Sequence, residues 1–157
     1  MNEQDKKFLR ISFKVAEEAY AKGNHPFGAV LTDEKGQELL RAGNTIEDDN
    51  DTTAHAETNL LRMAWEKYDQ DFLKKCTLYS SAEPCVMCSG TIYWSGVGRT
   101  VFGIGIHRQA ELSHDPQDFA PVIECAEIIS KGKKDYMKIE GPFLEDEAEK
   151  IFMEEPK

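Results

Sequence analysis

The chain has 157 residues, of which 40% are hydrophobic, and a formal net charge of −10. This length predicts one domain, residues 1–157, with enough core to fold without disulfide bonds. The excess of 29 acidic over 19 basic residues disfavours a nucleic-acid partner, because such proteins gain affinity from Lys and Arg on phosphates. Since neither a membrane-length apolar run nor a secretory leader is found, we expect a cytoplasmic protein with no membrane contact.

Helices and short strands alternate along the chain. Apolar residues at helical spacing predict an amphipathic helix over residues 5–22, ending at Gly23. Short strands are predicted at residues 27–33, 37–42, 77–81 and 99–103. Further helices are expected to begin near His55 and Cys85, between the later strands. This order predicts a mostly parallel sheet in an α/β sandwich, with a ligand crevice at the strand ends.

Two short motifs suggest the chemistry: Thr53-Ala54-His55-Ala56-Glu57 and Glu83-Pro84-Cys85-Val86-Met87-Cys88. One imidazole and two thiolates are three zinc ligands, which leaves a fourth tetrahedral position open for water, as in catalytic zinc sites. Zinc lowers the pKa of its water towards about 7, and the Glu57 carboxylate can take up that proton and deliver it to a leaving group. Together the motifs form a known signature of zinc-dependent base deaminases. They predict hydrolysis at a zinc held by His55, Cys85 and Cys88.

The ligand spacing also predicts where the helices begin. Cys85 and Cys88 are three residues apart and share a helix face near the N-terminus, where the helix dipole favours thiolates. His55 and Glu57 are only two apart, so both must lie in a first turn. We expect Thr52 or Thr53 to cap that helix.

A structural zinc site is the alternative interpretation. It needs a fourth protein ligand, and the other His and Cys residues stand at no recognised zinc-finger spacing: His25, His107, His114, Cys76 and Cys125. The last two cysteines lie beside apolar stretches and are expected to be buried free thiols.

Several segments, in order, resemble the cytidine/deoxycytidylate deaminase superfamily: 26–30, 43–44, 53–57, 84–88 and 90–94. The resemblance covers about residues 5 to 105 and is nearest the guanine deaminase and tRNA adenosine deaminase branch. It implies a three-layer α/β/α sandwich with a five-stranded mixed sheet. It also implies one zinc per chain, with Glu57 as the proton shuttle, and a homodimer or larger assembly.

The resemblance further implies a substrate pocket. Asn44 aligns with an asparagine whose amide contacts substrate, and Ala56 with a residue whose backbone N–H faces it. Phe27 and Trp94 resemble aromatic residues that line the base pocket of guanine deaminases. The alternatives are a turn residue after Gly43 for the asparagine and core packing for the aromatic side chains.

The substrate is predicted to be a small nucleobase, with guanine favoured over isocytosine, cytosine or nucleosides. The acidic C-terminal residues 145–149 argue against tRNA, and Tyr93-Trp94 resembles guanine deaminases. Residues 104–121 depart from the guanine deaminase pattern. In this segment Asp115 or Glu111 is the candidate to bind a purine edge. The alternative for each is an acidic side chain on the protein surface.

Two other functions stay open, a tRNA adenosine deaminase and a zinc-binding interaction protein without turnover. The tail, residues 142–157, is expected to contain a helix whose apolar side is formed by Ala148, Ile151 and Phe152. In relatives such a tail covers an active site, so a lid is possible for this chain.

Overall fold

The computed structural model describes residues 1–115 and 117–153. Five strands form its sheet: β1 (Gly28–Thr32), β2 (Glu38–Gly43), β3 (Thr77–Ala82), β4 (Arg99–Ile104) and β5 (Lys138–Glu140). The strand order is β2-β1-β3-β4-β5. Pro116 and residues 154–157, which belong to the predicted base-binding segment and tail, lie outside the described residues.

The helices connect and cover these strands. They are α1 (Glu3–Ala21), α2 (Ile46–Asp49), α3 (Ala56–Lys67), α4 (Gln70–Leu73), α5 (Val86–Ser95), α6 (Ile106–Leu112), α7 (Cys125–Ser130) and α8 (Glu145–Phe152). The predicted first helix and four predicted strands are confirmed to within a few residues. None of the helices built from described residues has both the length and the apolar character of a membrane span.

The sheet is mixed, and the expectation of a mostly parallel sheet is wrong. β1 pairs antiparallel with both β2 and β3, whereas β3 pairs parallel with β4 and β4 pairs parallel with β5. The reason is that β1 and β2 form a hairpin, and β1 then lies beside β3 rather than at an edge of the sheet. The parallel half is nevertheless the part that ends at the functional site.

Two apolar layers cover the two faces of the sheet, which confirms the three-layer sandwich. In β3, Leu78 faces the layer that contains Leu60 of α3 and Ile92 of α5. The next residue, Tyr79, faces the layer that contains Phe8 and Phe13 of α1. Adjacent strand residues point to opposite faces, so each β-strand contributes to both cores.

Helix α1 packs very closely on the sheet at Gly28. A side chain at this position would collide with the backbone of Ser12 and Ala16 in α1. Glycine at position 28 therefore allows α1 to pack closely over β1 and β3. This contact lies directly beside Phe27 in the chain.

The parallel strands β3 and β4 begin at one edge of the sheet and end at the other. At their beginning, the buried Asp5 carboxylate accepts hydrogen bonds from Tyr79 Oη and from both terminal nitrogens of Arg99, each at 2.8 Å. Arg99 also donates to Glu140 Oε2 at 2.7 Å. At their carboxyl ends, Glu83 follows β3 and Gly105 follows β4, and this is where the chemistry-bearing side chains gather.

The helix α8 is tied to the rest of the chain at three points. Glu147 receives two hydrogen bonds from Arg10 of α1, both at 3.1 Å. Glu149 receives two from Arg108 of α6, at 3.1 and 2.6 Å. Glu145 Oε2 accepts from the backbone N–H of Gly105 at 2.9 Å. These ties hold the apolar side of α8, including Phe152, against the core beneath α1.

Candidate active site

Three metal-binding side chains converge where two helices begin. His55 is the N-cap residue of α3 and Cys85 the N-cap residue of α5, with Cys88 in the first turn after it. His55 Nδ1 lies 3.6 Å from Cys85 Sγ and 3.5 Å from Cys88 Sγ. The expectation that Thr52 or Thr53 caps α3 is wrong, because the ligand His55 itself occupies the cap position.

The spacing of these atoms fits zinc. With Zn–N near 2.0 Å and Zn–S near 2.3 Å, a tetrahedral site has a nitrogen–sulfur edge of about 3.6 Å. Both measured distances agree with that edge, and all three ligand atoms lie within 4.8 Å of one another. Imidazole with two thiolates is a donor set that suits zinc and leaves one position open.

The two thiols share hydrogen bonds that favour a thiolate. The hydrogen bond from Cys88, together with that from His55, lowers the pKa of Cys85 to about 4 against the opposing effect of burial. The same interaction raises the pKa of Cys88 well above its usual value. The pair therefore holds a negative charge next to His55, whose own pKa is raised by the hydrogen bond with Cys85. A dication would be attracted to this position.

Glu57 lies two residues after His55 in the first turn of α3 and is only 6% exposed. Burial, and then the nearby Cys85, raise the pKa of Glu57 to about 7. A dication on the three ligands would lower that pKa, because it favours the charged carboxylate. A buried carboxyl group that takes up and releases protons near neutral pH is suited to general acid–base chemistry.

His55, Glu57 and Cys85 line a cavity of about 440 Å³. The other lining residues come from five separate parts of the chain: His25, Phe27, Asn44, Ile46, Ala82, Glu83, Gln109, Ser113, His114, Asp115, Asp118, Phe119, Ala120 and Phe152. This volume is in the range of small-molecule sites. Metal ligands and a buried acid are thus combined with a space for a substrate.

Three of the sequence-predicted substrate residues line this cavity. Phe27 packs edge-on against Phe152 of α8, with ring centroids 6.0 Å apart. Asn44 is buried and fixed by its Oδ1, which accepts the backbone N–H of Ile46 at 3.0 Å. The Asp115 carboxylate accepts the backbone N–H of Gln117 at 2.9 Å, so it also shapes its own loop.

The other three predicted substrate residues do not line the cavity. Trp94 is 75% exposed and lies with Trp65 on the outer surface of α3 and α5. Helical spacing explains the difference, because Trp94 is six residues beyond Cys88 and points away from the ligand face. Glu111 is exposed and paired with Arg108 at 2.8 Å. Ala56 is fully buried between the cavity residues His55 and Glu57; the contact expected of it is made by its backbone N–H and stays a prediction.

Sequence reasoning missed several cavity residues. Asp118 and Phe119 follow Asp115 in the loop between α6 and α7, and Phe152 comes from α8. His114 also lines the cavity. No local pattern marks these residues, since they approach the zinc ligands only through long-range packing. Glu83 and Gln109 also line the cavity, and Glu83 was in the quoted motif without a role.

The cavity lining is acidic. Four carboxyl groups contribute to it, from Glu57, Glu83, Asp115 and Asp118, and none of the described lining residues is Lys or Arg. A phosphate group is bound in proteins mainly by cationic side chains and free backbone N–H groups. The lining therefore fits a ligand rich in hydrogen-bond donors better than a phosphorylated one.

Comparison with known proteins gives related enzymes. Residues 2–104 match the family model of the cytidine and deoxycytidylate deaminase zinc-binding region. A probable cytosine deaminase from Schizosaccharomyces pombe is 38% identical over 94% of this chain and 90% of that protein. A tRNA-specific adenosine deaminase from Aquifex aeolicus is 29% identical over 79% of this chain and 90% of that protein. The solved guanine deaminase from Nitrosomonas europaea has a TM-score of 0.76 at 23% identity, covering 94% of this chain and 81% of that chain.

Proposed function

Because the chain belongs to the cytidine and deoxycytidylate deaminase family of zinc-binding proteins, we propose that it deaminates a free nucleobase by hydrolysis. One observation carries the proposal: His55, Cys85 and Cys88 form a zinc-sized cluster beside the buried Glu57 carboxyl, at a cavity large enough for a base. The reaction replaces an exocyclic C–NH₂ group by C=O and releases ammonia.

Glu57 moves the protons in this proposal. A zinc ion held by His55, Cys85 and Cys88 would supply a water of lowered pKa for attack on the ring carbon that carries the amine. Glu57 takes a proton from that water and delivers it to the adjacent ring nitrogen. It then transfers the second proton to the amine, which leaves as ammonia while the carbonyl forms. Burial of Glu57 supports this role, because a carboxyl group with a raised pKa both accepts and donates protons near neutral pH.

Asn44 and Phe27 are proposed to hold the base. The Asn44 side chain is oriented by Ile46, and its amide offers both a donor and an acceptor for a heterocycle edge. Phe27 supplies a flat apolar surface, supported from behind by Phe152. We propose no direct substrate contact for Trp94 or Glu111 within one chain.

The substrate is proposed to be an unphosphorylated base. The described lining residues include four carboxyl groups and no Lys or Arg, which disfavours a nucleotide. Guanine is favoured by its donor-rich edge, since Asp115 or Asp118 can accept from a ring N–H and an amino group. Trp94 does not favour guanine, because it lies outside the cavity.

Cytosine is the second candidate. It is favoured by the similarity to the probable cytosine deaminase, which extends over almost the whole chain. A tRNA adenosine deaminase is the third, on the similarity to the Aquifex enzyme. The net charge of −10 opposes the third candidate, because tRNA binding requires cationic contacts with phosphates.

Three organisational features complete the proposal. The chain acts as one deaminase domain, with α8 as a fixed wall of the cavity rather than a mobile lid, since three ties hold it. It assembles as a homodimer, for which the exposed Trp65 and Trp94 provide an apolar surface. Light scattering tests the dimer. Truncation after Gly141 removes α8, and unchanged substrate affinity of the truncated protein would contradict the role of α8 as a wall of the cavity.

The decisive experiment measures ammonia release from guanine, cytosine, isocytosine, adenine and their nucleosides, with zinc-loaded Glu57→Ala protein as the blank. Turnover of a free base that is absent in the variant, at equal zinc content, supports the proposal and identifies the base. Silence on every base together with turnover of tRNA would replace the proposal by the third candidate. Zinc near one per chain without any turnover would indicate a zinc-binding protein that is not an enzyme.

A further inference from the structure

The carboxylate of Glu83 connects two helices that are distant in sequence. It is 7% exposed, and each of its oxygens accepts one backbone N–H at 2.8 Å. Oε1 accepts from Ile106, the first residue of α6, and Oε2 accepts from Cys125, the first residue of α7. The first N–H groups of a helix have no partner inside the helix, so one side chain satisfies a donor at the start of each helix.

These two helix starts enclose the wall of the cavity. Between Ile106 and Cys125, α6 and the loop after it contribute seven lining residues, from Gln109 in α6 to Ala120 in the loop. Both ends of this segment, residues 106–125, are therefore fastened to one carboxylate. We refer to the segment as the wall segment.

Glu83 is itself held rigidly and stands beside the metal ligands. Its backbone N–H donates to Ile104 O at 2.7 Å, and its carbonyl oxygen accepts from Gln109 Nε2 at 3.2 Å. Pro84 and then the ligand Cys85 follow it directly. Glu83 thus connects the wall segment directly to the metal ligands, in addition to the ties that Arg108 and Gln109 make to Glu149 and Ile104.

We propose that Glu83 is a positioning residue that fixes the distance between the wall segment and the metal ligands, and thereby sets substrate affinity. This inference rests on the proposed function, since it assumes that the wall segment contacts the base. Glu83 acts through backbone groups of α6 and α7. It needs no contact with the reacting atoms.

The test is Glu83→Gln. A glutamine side chain has the same length but only one acceptor oxygen, so its NH₂ group must face one of the two backbone N–H groups. The control is Glu124→Gln, which removes an exposed carboxylate at the same end of α7 that accepts neither N–H and faces His107. The substrate is the base that the wild-type protein turns over in the panel above.

For Glu83→Gln we expect KM to rise by at least about tenfold while kcat changes by less than about threefold, with zinc still at one per chain. Hydrogen exchange should become faster at the amides of Ile106 and Cys125 and throughout the wall segment. Glu124→Gln should leave both readouts at wild-type values. A variant with faster exchange and unchanged KM would overturn the proposal, as would one that loses zinc and kcat together.

A second variant covers the case in which Glu83→Gln does not fold. Cys125→Pro removes one of the two N–H donors at nearly constant side-chain volume, and Glu124 before it already has the extended conformation that proline requires. The same change in KM, of smaller size, is expected; an unchanged KM would contradict the proposal. If the wild-type protein turns over no base, the proposed function fails, whereas hydrogen exchange still reports whether Glu83 holds the wall segment.

Discussion

Two buried carboxyl groups lie at opposite ends of the parallel strands and have opposite properties. Asp5, 1% exposed, receives hydrogen bonds from Arg99, Tyr79 and Asn2, and the Arg99 guanidinium is the main cause that lowers its pKa to about 2. Glu57 is about as deeply buried, but burial and the nearby Cys85 raise its pKa to about 7. Burial raises the pKa of both groups, and at Asp5 the Arg99 guanidinium outweighs it, so the charged partner decides the sign of the shift.

The two carboxyl groups have different roles, one in the stability of the fold and the other in its function. The Asp5 carboxylate is fully paired and fastens α1 to the beginning of the sheet, so it stabilises the fold. Glu57 is buried with no guanidinium or ammonium partner among the described residues, which costs stability but leaves a proton carrier near neutral pH. Changes at the two ends should therefore be separable in experiments, one affecting unfolding and the other turnover.

The largest effect is expected for Glu57→Gln. Loss of the proton carrier should lower kcat by about 10²- to 10⁴-fold. The melting temperature should stay the same or rise, because a buried ionisable group is replaced by a neutral one of the same size. Ammonia release and thermal unfolding, at matched zinc content, check both parts. A clear fall in melting temperature would mean that Glu57 is also a stabilising residue like Asp5.

The next effect concerns the metal. Loss of a residue that only hydrogen-bonds to a metal ligand typically lowers metal affinity by about 10- to 100-fold. Cys85→Ser removes a ligand itself, so zinc affinity should fall by more than that. Turnover should fall with the bound zinc. Metal analysis after dialysis against a chelator measures the loss, and Cys76→Ser serves as the control, since Cys76 is a buried thiol outside the metal cluster. Equal zinc retention in both variants would remove Cys85 from the site.

At the other end, Asp5→Asn should destabilise the fold by about 2 kcal/mol, because the half-buried Arg99 loses one of its two charged partners and keeps only Glu140. Measured per folded molecule, kcat and KM should not change. Urea unfolding gives the free energy, and Glu3→Gln in the same helical turn is the control, since Glu3 is exposed and pairs only with Lys6 among the described residues. A change in KM would show that the two ends of the sheet are coupled.

A smaller effect depends on pH. The pKa of Asp5 falls from 3.8 to about 2 on folding, so its stabilising contribution is fully present above about pH 5 and is lost as the pH falls towards 2. The contribution amounts to about 2 kcal/mol. The difference in unfolding free energy between the wild-type protein and Asp5→Asn should shrink over this range. A difference that is independent of pH would contradict the lowered pKa.

The smallest effect is expected for Trp94→Ala, with KM changed by less than about twofold, because this side chain lies outside the cavity. Initial-rate measurements over a range of protein concentrations check it. A KM that rises tenfold or more would mean that Trp94 contacts the base bound in a neighbouring subunit.

The local part of the structure could be predicted from the sequence, and the long-range part could not. The ligand cluster of His55, Cys85 and Cys88 follows from two short motifs, because each motif fixes its own helix start. Strand β5 is only three residues long and partly exposed, so it carries no alternation to detect. The approach of Asp118 to the cavity depends on how residues 106–125 fold back, which no local pattern encodes.

The position of Trp94 is a second feature that could not be predicted from the sequence. The spacing of Cys85 and Cys88 correctly predicts a helix that begins near Cys85, but the resemblance that suggested Trp94 as a pocket residue did not indicate which face of that helix the indole occupies. Direction along a helix is determined by a rotation of about 100° per residue, so each further position must be assigned to a face separately. Recognition residues are therefore harder to predict than metal ligands.

The double hydrogen bond at Glu83 has a consequence for how such a protein can be redesigned. Both ends of the stretch between Ile106 and Cys125 are attached to that carboxylate, and α6 is also held through Arg108 and Gln109. The loop after α6 can therefore change in length and composition while these attachment points remain. Surface connections tolerate such changes well, because each doubling of loop length costs only about 0.6 kcal/mol of closure entropy. Substrate preference can thus be changed by replacing this loop as a unit, while the zinc-binding part of the protein stays the same.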